Sequence, residues 1–184
     1  MGLSNQFVEN LMRKLSIKPK KFKGVKPCDV FLNEIRNNNH KLEKGDCFII
    51  NMSSSQHPGS HFVSIFISSP YNAEYFDSFG FKPLNIYFIE FIKNFTNNAF
   101  YYYNPIRLQN NSSSVCGYYC ISYVSNRLKG ISPSKILKKL NYGDTKLNDC
   151  KVYTNISKKF RIKKKLSTKQ TCCTFKVFKR KLKE

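Results

Sequence analysis

Cys116 stands where a polar loop meets an apolar run. The loop is Gln109-Asn110-Asn111-Ser112-Ser113-Ser114-Val115, dense in turn formers. The run is Gly117-Tyr118-Tyr119-Cys120-Ile121-Ser122-Tyr123-Val124, which reads as a helix. A thiol at a helix N-terminus feels the positive end of the macrodipole, which favours the reactive thiolate. Gly117 is expected to leave the space beside the sulfur open. Cys116 is therefore a candidate nucleophile.

Such a nucleophile needs a base to take its proton and a group to orient that base. The sequence holds three histidines, His40, His57 and His61. His40 lies in a polar stretch, and His57 precedes Pro58 in a Ser/Pro/Gly loop. His61 opens an alternating, β-branched run, where packing would hold its ring still, so it is the favoured base with His57 as rival. Asp77 closes the next predicted strand, and a hairpin would bring the two side chains together, the carboxylate accepting the Nδ1 proton. The tetrahedral intermediate needs donors. The Cys116 backbone N–H and the Gln109 side-chain amide are the candidates.

The elements that must position these groups follow from periodicity and punctuation. Residues 4–15 read as an amphipathic helix capped by Ser4. Residues 18–26 read as a basic, Pro-broken connector, 29–35 as ambiguous between helix and strand, and 36–44 as a loop. Strands are expected over 45–51, 61–67 and 73–79, arranged as an antiparallel meander. Pro83 begins a helix to about Asn97. Residues 100–108 read as an extended aromatic strand. The Cys116 helix ends near Gly130, and Ser132-Pro133 starts a short helix to about Leu140.

At 184 residues the chain is long enough for one domain with a real core. No run reaches the length of a membrane span, and the N-terminus lacks a signal-peptide core, so an intracellular, non-secreted protein is expected. Seven cysteines without framework spacing read as reduced thiols. Cys28, Cys47, Cys120 and Cys150 read as packing residues, and Cys172-Cys173 adjoin in the tail. No matching ligand set completes a tetrahedral zinc site, so no metal is expected. The net charge of +21 predicts attraction to polyanions, nucleic acid first. Twelve Lys or Arg stand against one acid from Lys158 on. Residues 1–157 are thus read as the folded domain and 158–184 as a basic C-terminal tail, with Phe175 and Phe178 interleaved for nucleic-acid contact. Solvated charge is the plainer reading of that tail. Singly, Cys116 reads as a buried thiol, His61 as a packed imidazole, Asp77 as a strand end and Gln109 as a loop amide. Their joint order and spacing carry the case.

Taken together, His61-Phe62, the stretch Tyr75-Phe76-Asp77-Ser78-Phe79-Gly80-Phe81, and Gln109 followed seven residues later by Cys116-Gly117 resemble the adenovirus maturation proteases (adenains). They are similar, more distantly, to the Ulp-type SUMO-deconjugating proteases. The shared order is His, acid, Gln, Cys, over roughly residues 45–130. The resemblance implies an α+β fold with a central mixed sheet flanked by helices and the nucleophile at the N-terminus of a core helix. It implies a cysteine endopeptidase with catalytic His61, Asp77, Gln109 and Cys116, and with Phe62 and Gly117 at the substrate. Cleavage would follow small residues, often glycine, in a narrow groove. No cofactor is needed for the chemistry, with DNA as a conceivable activator. Together with a composition that suits AT-rich coding, the resemblance points to a DNA virus, virophage or Polinton-type element. Capsid or core precursor proteins would be the substrates of a monomeric enzyme, in the virion and the host-cell interior. Three departures stand out: Asp77 replaces adenain's Glu, Phe62 replaces the usual Trp beside the His, and no cysteine precedes Gln109 where adenain captures a peptide. The alternatives are a Ulp-type isopeptidase and an inert, basic nucleic-acid-packaging protein.

Overall fold

The computed structural model describes residues 3–37, 42–57, 59–83, 85–96 and 101–160. His40, Cys172, Cys173 and the tail from residue 161 lie outside them. Five strands form one mixed sheet in the order β1-β2-β3-β4-β5: β1 (Phe22–Pro27), β2 (Cys47–Asn51), β3 (Phe62–Ser69), β4 (Asn72–Phe76) and β5 (Tyr102–Tyr103). The central β2-β3-β4 unit is the antiparallel meander the alternation predicts, with Ile49 opposite Ser64 and Ile65 opposite Tyr75. The two outer strands run parallel to their neighbours.

Side chains of a strand alternate between faces, and both faces of this sheet are covered. Cys47, Ile49, Phe62, Phe66 and Phe76 pack with α1 (Asn5–Leu15), α4 (Cys116–Leu128), α5 (Pro133–Leu137) and α6 (Thr145–Phe160). Phe48, Ile50, Val63, Ile65, Ile67 and Tyr75 pack with α2 (Cys28–Asn37) and α3 (Ile86–Thr96). Double-sided burial explains why β2 is apolar from Cys47 to Ile50 and why both faces of β3 are buried from Phe62 to Ile67, Ser64 included. Helix α1 starts where the sequence places it, with the Ser4 hydroxyl accepting from the Phe7 N–H. Among the described residues no helix is long and apolar enough to cross a membrane.

Four expectations are corrected. The supposed connector before residue 27 holds strand β1, an edge strand whose Lys23 meets the buried Asp46 carboxylate (3.3 Å) and whose Lys26 meets Glu34 (2.6 Å). Residues 28–37, ambiguous in sequence and partly read as loop, form α2. The strand expected over 100–108 shrinks to Tyr102–Tyr103, because from Asn104 onward the chain bonds to a turn rather than to a strand. Cys28, Cys47 and Cys120 are buried free thiols, whereas Cys150 on α6 is disulfide-bonded rather than a reduced packing residue.

Candidate active site

The strand end, the turn and the helix start meet at one point. His61 immediately precedes β3, Asp77 immediately follows β4, and Cys116 is the first residue of α4. Because β3 and β4 are antiparallel neighbours, the start of one lies beside the end of the other. His61 Nε2 donates to Asp77 Oδ1 at 2.9 Å. The Cys116 side chain is the other polar neighbour that acts on the imidazole. The sequence reading assigned Nδ1 to the carboxylate; in the structure Nε2 takes that place. Burial works against a charged ring. The hydrogen bonds from Asp77 and Cys116 and the charges of both outweigh it, and His61 is pushed up to about 9. The aromatic ring of Phe79 flanks the imidazole at 5.0 Å between centroids. The His61 side chain is 19 % exposed and that of Asp77 4 % exposed.

The acid is held by a turn whose every residue is engaged. Asn104, fully buried, accepts from the Asp77 N–H (2.9 Å) and donates to the Asp77 carbonyl (2.7 Å), a side-chain substitute for a strand ladder. The Phe79 N–H donates to Asp77 Oδ1 (2.8 Å). The Gly80 N–H donates to the Asp77 carbonyl (2.9 Å) at φ +78°. A Cβ on Gly80 would lie 2.6 Å from the Ile106 carbonyl carbon. A Gly80→Ala variant should therefore lose at least about 2 kcal/mol of stability, since backbone rather than a flexible side chain blocks the methyl. Urea unfolding checks this, and a loss under about 0.5 kcal/mol would contradict it.

Gln109 is buried in the same unit. Its Oε1 accepts from the Ser78 hydroxyl (2.7 Å), and its Nε2 donates to the Ser113 carbonyl (2.9 Å). The loop that follows is tied to α6 and α4. The Asn110 N–H donates to the Asp149 carboxylate, which also accepts from the Tyr119 hydroxyl at 2.9 Å. Burial raises Asp149 despite these bonds. Cys116 itself is 8 % exposed. It sits in the first turn of α4, whose leading N–H groups have no partner within the helix.

The structure thus brings His61, Asp77 and Cys116 into one chain of contacts, with Gln109 fixed against the residue after Asp77. It does not place His57 there. His57 bonds Ser54 Oγ (2.7 Å) in the loop after β2. Phe62 and Gly117, expected at the substrate, are both buried in this structure. Phe62 is 3 % exposed in the core, and a Cβ on Gly117 would meet Leu3 Cδ1 at 2.9 Å and Val8 Cγ2 at 3.1 Å. Gly117 is filled in by α1 and its approach rather than left open, so neither residue offers surface. Sequence reading missed Asn104 and Ser78 as site residues. Ser78 adjoins Asp77 in the stretch that carried the resemblance, which was the available signal.

No protein-family model matches the sequence, and no curated protein does. Solved structures do. The chain is similar to the ASFV pS273R protease, with 19% identity over 82% of this chain and 66% of that one and a TM-score of 0.55. It thus spans just under two thirds of that protease. It is similar to the central domain of Lpg1148 from Legionella pneumophila, with 13% identity over 88% and 97% and a TM-score of 0.53. The SUMO protease Ulp1 matches at 12% identity over 84% and 77%, with a TM-score of 0.48. At these identities what is shared is architecture: the chain has the α+β fold, a mixed five-stranded sheet between helices, of the ASFV pS273R protease.

Proposed function

We propose that the protein is a cysteine endopeptidase that processes viral capsid or core precursor proteins during particle maturation. The observation that carries the activity is His61 bonded to Asp77 at 2.9 Å, with the Cys116 side chain, at a helix N-terminus, as the imidazole's other polar neighbour. The fold shared with a viral protease supports the protease reading. In this reading His61, protonated up to about pH 9, stands beside the sulfur as imidazolium. Cys116 Sγ attacks the scissile carbonyl and a tetrahedral oxyanion forms. The Cys116 backbone N–H and the second N–H of the Gln109 amide, the one not given to Ser113, receive it. His61 passes its proton to the departing amine, leaving a thioester, and then draws a proton from the water that hydrolyses it. Asp77 keeps the ring oriented and balances its charge. DNA as an activator and nucleic-acid contact through the basic tail belong to the same reading.

The test is co-expression with the structural proteins of the same genome, followed by mass spectrometry of their new termini, beside a panel of ubiquitin-like modifier C-terminal reporters. Termini appearing after small residues in capsid or core precursors support the reading. Exclusive turnover of modifier reporters transfers the protein to the isopeptidase alternative. The sign of the pH dependence is fixed by His61. Its proton is held below about 9 and lost above it, so kcat/KM should fall as pH rises through about 9. An activity that keeps rising beyond pH 10 contradicts the imidazolium role.

A further inference from the structure

The turn Asp77–Gly80 links the two halves of the site, and its Ser78 has no part in the mechanism just given. Ser78 is fully buried between Asp77 and Phe79. Its carbonyl accepts from the Leu108 and Gln109 N–H groups at 2.8 and 3.0 Å. Its hydroxyl donates to Gln109 Oε1 at 2.7 Å. An amide side chain has two nearly isosteric ends, and only its NH2 end can stabilise an oxyanion. The Ser113 carbonyl, an acceptor only, takes one hydrogen from Nε2. The Ser78 hydroxyl occupies the opposite end. With both bonds made, the amide cannot rotate, and its second N–H keeps one fixed direction.

We propose that Ser78 is a positioning residue for the oxyanion amide of Gln109, tying it through one short turn to the acid Asp77. The inference rests on the endopeptidase reading above. Physically, the oxyanion hole gains its power from donors that need not reorganise as charge develops. A Gln109 held only at Ser113 would swing, and a buried Oε1 without a donor would be unsatisfied. The fixed direction matters in the transition state and much less in binding of the ground-state carbonyl.

Ser78→Ala should lower kcat about tenfold, a fraction of the loss on deleting a whole oxyanion donor, with KM within about twofold of wild type. Alkylation of Cys116 by iodoacetamide should stay within about twofold of the wild-type rate, because that reaction forms no oxyanion. That separates a positioning role from a general loosening of the His61–Cys116 pair. In a Gln109→Ala background, Ser78→Ala should add no further loss, since the hydroxyl would have nothing left to hold. Ser78→Cys, close in volume with a weak S–H donor, is the variant to measure if Ala does not fold, and should lose about threefold in kcat. Unchanged kcat, additive losses in the double variant, or alkylation falling in step with kcat would each overturn the inference. A wild type without Cys116-dependent turnover overturns both this inference and the endopeptidase reading. Normal turnover in wild type and in Ser78→Ala alike overturns this inference alone.

Discussion

Cys116→Ala should abolish processing, by at least about 10⁴ in kcat/KM, while leaving the fold intact. The thioester needs the sulfur, and among the described residues no neighbouring thiol can replace it. Cys120 is one turn further along α4, wholly buried, with its thiol donating to the Phe62 carbonyl at 3.3 Å. Burial pushes the Cys120 thiol well up, away from the reactive range. Cys116 is a core position, 8 % exposed, but the change deletes a single atom, so circular dichroism should match wild type and stability should fall by no more than about 1–2 kcal/mol. His61→Ala should lose a comparable factor, and the double variant little more than either, because nucleophile and base act as one unit. Mass spectrometry of precursor termini reads the effect. Processing that survives in Cys116→Ala would remove the thiol from the reaction and with it the roles given to His61 and Gln109.

Where pattern governs structure, the sequence announced it. The alternation across β3 and β4 set the hairpin that joins His61 to Asp77, and the loop-to-helix change at Cys116 set the start of α4. The elements that went unread lack pattern for identifiable reasons. Strand β1 is rich in lysine because it lies at the sheet edge, where Lys23 and Lys26 find carboxylates, so charge there looks like a connector. Helix α6 buries Asn148 beside Val152 and Ile156, and that asparagine is inside because it bonds the Leu108 and Asn141 carbonyls at 3.2 and 2.7 Å. A polar residue buried for its hydrogen bonds dilutes the apolar stripe that a helix search relies on. The same holds at the site. His61, Asp77, Gln109 and Cys116 were legible by type and order. Which imidazole nitrogen meets the acid, and that Asn104 and Ser78 hold the acid and the amide, depend on loop geometry that no periodicity encodes. The burial of Gly117 was not legible because α1, far away in sequence, packs over the start of α4.

The largest stability effect is expected from Arg127→Ala. Arg127, near the end of α4, makes a bidentate pair with Glu74 of β4, its Nε and Nη2 each 2.7 Å from a carboxylate oxygen. Its Nη1 donates to the Ile131 carbonyl at 2.7 Å, and its guanidinium lies 4.6 Å from the centre of the Phe66 ring. The side chains are 12 % and 6 % exposed. The Tyr123 hydroxyl completes the carboxylate's partners at 2.9 Å. Removing the guanidinium strands a buried carboxylate on one neutral donor, which costs about 3–5 kcal/mol. Adding Glu74→Gln to Arg127→Ala should recover part of that loss, since the residual penalty is an unpaired charge rather than a missing attraction. Activity should fall too. The pair fixes α4, which carries Cys116 at its far end, to the strand that runs directly into Asp77, so loosening it widens the gap between sulfur and imidazole. Denaturant unfolding of the two single variants and the double measures the coupling. A loss below about 1 kcal/mol in Arg127→Ala, simply additive with that of Glu74→Gln, would mean the network merely fills space, and the alignment of α4 with β4 would then rest on the Phe76–Tyr123 stack, 4.3 Å between ring centres, and its apolar neighbours.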